Sequence, residues 1–255
     1  MDHELFARRT GDGPQVVVLL HGFGGSHQVW TAVQDALSDR ATVIAYDLPG
    51  HAGSLSWPGG GPVKVAVRAI LDDLSRRQVQ RVHLVGHSMG GAVATIVASS
   101  EPERVSSLTL LAPGGFGPEI NHRLLARYAA ARSEMEMRAA LEGMFGFNSP
   151  LPEELVRGCH ALRELPGQRE KLIEIGGLIC RDGKQGVIPR EWLAGLAMPV
   201  AVVWGQLDGV LPAHQTNDLP PRFALHRVDG AGHMLIDEAP ELVAEVIRRQ
   251  LGPKS

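Results

Sequence analysis

Apolar residues fall in short unbroken runs, separated by longer stretches in which they recur every three or four positions. Val16-Val17-Val18-Leu19-Leu20 is the clearest run, and it ends at His21-Gly22-Phe23-Gly24-Gly25. Further runs cover residues 42–46, 82–85, 108–111 and 200–204, with a less apolar one at 223–228. Runs of this length, bounded by turn residues, predict strands buried on both faces. Between them, Val63, Val67, Ile70, Leu71 and Leu74 share one helical face, as do Ala92, Val93, Ile96 and Val97. Strands alternating with helices predict βαβ units: an α/β fold with a mostly parallel central sheet and flanking helices.

The alternation breaks between 116 and 190. This stretch is rich in Arg, Glu, Ala, Leu and Met, with helical periods and no strand signal. Pro150, Pro152, Pro166 and Gly176-Gly177 divide it into several short helices. It reads as a helical cap, 116–190, inserted into one core made of 1–115 and 191–255.

Chemistry gathers where the strand runs end. Gly86-His87-Ser88-Met89-Gly90 joins a strand to an apolar helix, the setting of a G-x-S-x-G nucleophile elbow. The glycines relieve crowding around a sharply turned serine, and the helix N-terminus supplies N–H donors. A five-letter match is weak in a chain with 30 glycines, and a serine can merely cap a helix. The strand before it and the helix after it favour a nucleophile. Such a serine needs a base, and the base needs an orienting acid. His233, in Gly230-Ala231-Gly232-His233-Met234, follows the last strand run, and Asp208, in Trp204-Gly205-Gln206-Leu207-Asp208, follows the run before it. Asp229 and Asp237 lie only four residues from His233, and Asp237 reads as the cap of the last helix. The N–H of Met89, next after the serine, and the N–H of Phe23, in the first glycine loop, are the candidate oxyanion donors. His21, Asp47 and His51 read as residues that hold loops together.

Composition narrows the classes. The 255 residues carry 25 basic and 28 acidic side chains, a net charge of −3. That is no footprint for nucleic acid. No apolar stretch approaches the roughly 20 residues of a membrane span. Two cysteines, Cys159 and Cys180, make no disulfide framework, and no His/Cys cluster or H-E-x-x-H motif suggests a metal. The opening Met1-Asp2-His3-Glu4-Leu5 lacks a signal-peptide pattern, and the expectation is a cytoplasmic protein needing no cofactor.

With these landmarks, and with Asp47-Leu48-Pro49-Gly50-His51 at the end of the second strand run, the chain resembles the α/β-hydrolase family over nearly its whole length. Leu110-Leu111-Ala112-Pro113-Gly114-Gly115-Phe116-Gly117-Pro118-Glu119-Ile120-Asn121 is similar to the hydrolase-like domain of acetoin dehydrogenase E2 components, and its Pro113-Gly114-Gly115 region also resembles meta-cleavage carbon–carbon bond hydrolases. His87 stands where the latter usually carry Asn. No lipoyl domain is expected within these 255 residues, which lack the E2 signature H-x-x-x-D-G. Serine rather than aspartate at the elbow speaks against dehalogenase and epoxide hydrolase chemistry.

The resemblance implies a serine hydrolase acting through an acyl-enzyme on a small ester, thioester or lactone. Carbon–carbon hydrolysis of a diketone, an acyltransferase, and a non-catalytic module with a protein-complex partner stay open, as does the oligomeric state. His21, His87, Phe145, Phe147 and Arg190 are candidate substrate-pocket residues. Met135, Met137 and Met144 are further candidates for lining the cap, and Arg123 and Arg181 for meeting a substrate carboxylate.

Overall fold

The computed structural model describes residues 4–147 and 149–253, so residues 1–3 of the opening segment lie outside them. In chain order the strands are Ala7–Leu20 (β1), Ala41–Tyr46 (β2), Val82–His87 (β3), Val105–Leu111 (β4), Cys180–Arg181 (β5), Lys184–Gln185 (β6), Val200–Gly205 (β7) and Ala224–Val228 (β8). The helices are Thr31–Leu37 (α1), Val63–Arg76 (α2), Met89–Ser100 (α3), His122–Ala130 (α4), Glu134–Glu142 (α5), Glu153–Arg163 (α6), Gln168–Ile179 (α7), Arg190–Gly195 (α8), Leu235–Glu238 (α9) and Pro240–Leu251 (α10).

One sheet of six strands runs in the order β2-β1-β3-β4-β7-β8 among the described residues. Its strands pair in parallel, as the unbroken apolar runs predict. Every run read from the sequence lies in one of these strands, except that Phe223 precedes β8. The first residues of β1 depart from the parallel rule. Residues 7–10 meet β2 in descending register, Ala7 opposite Tyr46 and Thr10 opposite Val43, while 16–20 meet it in ascending register. The turn between them carries Gly11 at φ +68°. Tyr46 thus pairs with both Ala7 and Leu20, and neither edge of β2 is left bare.

The chain moves outward from β1 to β2, then crosses back past β1 to β3 and onward to β8. The order therefore reverses between β1 and β3, and that crevice at the carboxyl ends is where open α/β sheets bind ligands. In register, Leu20 stands opposite Gly86, so the loop after β1 and the turn after β3 emerge side by side.

Helices α4 to α7 and the β5–β6 hairpin lie between β4 and β7. Two details differ from the sequence reading. The hairpin gives no readable strand period, because each arm is two residues long. Gly176-Gly177 does not break a helix but lies within α7, where buried Leu172 and Ile175 hold the helix to its neighbours. Glycine in a helix costs about 1 kcal/mol rather than forbidding it.

Candidate active site

One residue, Ser88, joins β3 to α3, at φ 51° and ψ −117°. For a residue with a Cβ this backbone costs on the order of 1–3 kcal/mol. Neighbouring backbone holds it there. The Ser88 N–H donates to the Leu111 carbonyl at 2.9 Å, and its carbonyl accepts from the N–H groups of Gly91, Ala92 and Gly114 at 2.9, 3.1 and 2.9 Å. The hydroxyl makes no capping bond to α3, so a helix cap does not account for this serine. The glycines are sterically required. A Cβ on Gly86 would stand 2.6 Å from the Gly90 carbonyl carbon, one on Gly90 2.5 Å from the His21 carbonyl oxygen, and one on Gly91 2.8 Å from the Pro113 Cβ.

These conflicts are with backbone atoms or a proline ring, which no rotamer relieves. Gly90→Ala should therefore destabilise by about 3 kcal/mol or more, lowering the melting temperature by roughly 6–12 °C in a chain of this size. Gly177 sits inside a helix, and a Cβ there would meet nothing within 4 Å, so Gly177→Ala should raise it. Paired thermal melts read both, and equal responses would show the elbow to be slack.

The loop after β1 lies against this turn. A Cβ on Gly22 would meet the His87 ring nitrogen at 2.9 Å and the Ser88 Cβ at 3.2 Å. His21 fixes the loop from beneath. Its Nδ1 donates to the Gly22 carbonyl at 2.7 Å, and its Nε2 accepts from the Leu48 N–H at 2.9 Å. Burial, reinforced by neighbouring His51, lowers its pKa to about 3, which keeps the ring neutral and this donor–acceptor pattern intact. His21 is fully buried, lines neither of the two cavities at Ser88, and anchors the loop. Arg163 of α6, which the sequence did not mark, reaches the same loop. Its buried guanidinium donates to the Gly24 carbonyl at 3.0 Å and lies 4.2 Å from the Tyr128 ring centroid.

His233 and Asp208 are brought together by two loops joined along their backbones. The Gln206 N–H donates to Val228 and the Leu207 N–H to Ala231, and a side chain on Gly205 would collide with the Ala231 and Gly232 carbonyls. His233 Nδ1 is 2.8 Å from Asp208 Oδ2, with the carboxylate fully buried. The other carboxylate oxygen accepts the N–H groups of Val210 and Leu211, each at 2.8 Å. His87 Nε2 donates to the His233 carbonyl at 2.8 Å. Burial, with the nearby His233, lowers the pKa of His87 to about 3, so it braces the loop as a neutral ring.

A second carboxylate organises this loop. Glu238 accepts the N–H groups of Gly232 (2.8 Å) and Met234 (3.0 Å), on either side of His233, and that of Gly146 from the helical insertion (2.7 Å). Its partners lie up to 92 residues away, and no sequence period marks them. Asp237, expected to cap the last helix, instead lies within α9; α10 begins with Pro240 after Ala239. Three N–H donors need both Glu238 oxygens, and an amide supplies one. Glu238→Gln should cost about 1–3 kcal/mol and lower turnover by about tenfold or more through a displaced His233. Denaturant melts and kcat measure the two, and full activity at reduced stability would limit Glu238 to a structural role.

Ser88 and His233 line one cavity of about 520 Å³, together with His87, Phe23, Tyr128 and Asp237. Ser88 and Phe23 also line a second, of about 480 Å³, together with Met89. Of the pocket candidates, His87 and Met144 line the first cavity and Arg181 the second. The other candidates line neither of these two cavities. Phe147 is 81% exposed and Met135 77% exposed, each pointing to solvent, while Met137 is sealed in the core. Phe145 packs half-buried against the core and lines neither cavity. Arg123 is exposed and also lines neither. Arg190 spends its guanidinium on the carbonyls of Phe116 and Asp218. Among the described residues no group of His, Cys, Asp and Glu could hold a metal, and no helix is long and apolar enough to cross a membrane.

Residues 17–246 match the model of the alpha/beta hydrolase family. The chain is 31% identical over 244 residues to the dihydrolipoyllysine-residue acetyltransferase component of the acetoin cleaving system of Cupriavidus necator, covering 96% of this chain and 65% of the relative. The component of the same name from Pseudomonas putida is 33% identical, over 91% of this chain and 62% of the relative. The chain thus spans less than two thirds of either relative. In fold it is similar to a meta-cleavage product hydrolase from Pseudomonas fluorescens IP01, with a TM-score of 0.86 at 22% identity, covering 97% of this chain and 93% of that one.

Proposed function

The chain belongs to the alpha/beta hydrolase family, and on that premise we propose that it is a serine hydrolase in which Ser88, His233 and Asp208 form a catalytic triad acting on a small ester, thioester or lactone. The observation that carries this reading is the shared cavity: a serine on a strained strand–helix turn and a histidine bonded at 2.8 Å to a buried carboxylate face the same space.

The chemistry follows from the His233–Asp208 hydrogen bond and from the cavity that Ser88 shares with His233. His233 donates its Nδ1 proton to Asp208, which leaves Nε2 unprotonated as a base. Ser88 Oγ attacks the substrate carbonyl carbon as its proton passes to His233 Nε2. The oxyanion is held by the N–H groups of Met89, at the first turn of α3, and of Phe23. His233 then protonates the leaving group, the C–O or C–S bond breaks, and the acyl group remains on Ser88. Water attacks by the same steps in reverse and frees the acid.

Residues 116–190 act in this reading as a cap, since Leu125, Tyr128, Leu155 and Cys159 form cavity wall above the serine. Both cysteines are free, which suits a cytoplasmic protein. The test is a fluorophosphonate. It should add one adduct to the native protein, located on Ser88 by peptide mass, and its absence from well-folded protein would sink the reading. A second reading, acyl transfer to a thiol or alcohol in place of water, draws on the two cavities meeting at Ser88 and on the names of the acetoin-system relatives. Partitioning of product between free acid and transferred acyl group, with an added thiol, separates the two.

A further inference from the structure

The two cavities that meet at Ser88 differ in charge and in access to the base. His233 lines the first cavity and not the second. Its proton goes to the leaving atom, so the leaving group departs, and water enters, through the first cavity. Met89, one oxyanion donor, lines only the second. With the carbonyl oxygen turned toward Met89, the acyl chain has the second cavity to occupy.

That second cavity is apolar within, where Ile96, Ile120, Ile188 and Leu211 form its walls. Its charged lining residues are Lys64, on the first turn of α2, and Arg181, in the hairpin. Both side chains are exposed. Among the described residues neither has a carboxylate within ion-pair distance. The first cavity is lined by three carboxylates, Asp35, Glu154 and Asp237, and by no lysine or arginine. Asp237 has a buried carboxylate oxygen with no hydrogen-bond partner. The buried cation Arg163 does not line either cavity, since it faces the Gly24 carbonyl and the Tyr128 ring.

We infer that the substrate's acyl half is an apolar chain ending in a carboxylate, lodged in the second cavity with that carboxylate between Lys64 and Arg181, while the leaving half is uncharged. This rests on the serine hydrolase reading. An apolar channel desolvates the chain, and cations at its mouth meet the end that stays hydrated. An anionic group on the leaving side would instead face Asp237 and Glu154, which adds repulsion.

Three p-nitrophenyl or phenyl esters of one chain length test this: one with a carboxylate at the far end of the acyl chain, one with a methyl group there, and one with the carboxylate on the phenol. The native enzyme should prefer the first. The charge reversal Lys64→Glu/Arg181→Glu should lower the ratio of kcat/KM for the first ester over the second by roughly tenfold or more, chiefly through KM, and Lys64→Arg/Arg181→Lys should restore it. In the native enzyme the same ratio should fall as salt rises from about 10 to about 300 mM, because the Debye length shrinks below about 10 Å. That second measurement needs no variant.

A ratio unmoved by both charge reversal and salt, with both acyl esters turned over, overturns the inference alone. Preference for the carboxylated phenol overturns the assignment of the two cavities. No turnover of any ester, with no fluorophosphonate on Ser88, overturns the hydrolase reading and this inference with it.

Discussion

Replacing Ser88 by alanine should lower kcat for an activated ester by roughly a millionfold, and replacing His233 by alanine should cost about as much. The reason is that the two act as one unit. Without the base the hydroxyl is a poor nucleophile, and without the hydroxyl the base has no proton to take. The double variant should therefore be no slower than either single one, leaving a residual rate that reflects binding and the oxyanion donors alone. Losses that multiply would mean the two residues work independently, and a loss under tenfold for His233→Ala would name another base. Ser88→Ala should fold normally. Alanine meets the same φ of 51°, the backbone bonds to Leu111, Gly91, Ala92 and Gly114 remain, and the hydroxyl caps nothing. Loss of activity in a variant with an unchanged melting temperature separates chemistry from folding.

How much of this was legible beforehand depends on how local each signal is. The sheet was readable because strands buried on both faces must be apolar throughout, and the alpha/beta hydrolase fold is what the chain adopts. Ser88, Asp208 and His233 could be singled out because each follows an apolar run, so the strand itself delivers the residue to the carboxyl edge. The cavity walls were not legible. Whether a residue of the helical insertion faces inward depends on how short helices pack against one another, which the sequence near it does not encode. Met137 and Met144 both end up buried, yet of the two only Met144 lines a cavity at Ser88. Phe147, three residues on from Met144, is in solvent. Arg190 resembles a carboxylate partner in any sequence, but two carbonyls from 116 and 218 already hold it. Glu238 was missed for the same reason. Its role is to accept N–H groups from Gly146, Gly232 and Met234, and only the folded chain brings those together.

Asp208→Asn should be nearly as damaging as loss of the nucleophile, at about 10⁴-fold in kcat, although it removes no atom from the heavy-atom outline. The surrounding backbone decides the outcome. Val210 and Leu211 both aim N–H groups at Oδ1, so that position must be an acceptor. Asparagine can satisfy them only by placing its carbonyl oxygen there, which turns its NH₂ toward His233 Nδ1. That nitrogen must then accept rather than donate, and the imidazole proton moves to Nε2. A ring protonated at Nε2 cannot take the proton from Ser88. The flipped amide is no escape, because it would set two N–H donors against an NH₂ in a fully buried site. The variant should thus keep its fold and its substrate affinity while kcat falls, and fluorophosphonate labelling of Ser88 should slow in step. Raising the pH should recover part of the rate, since hydroxide can take the serine proton in place of the misprotonated ring. Wild-type turnover in Asp208→Asn would mean that the 2.8 Å bond to His233 only packs the loop, and that the histidine finds its tautomer elsewhere.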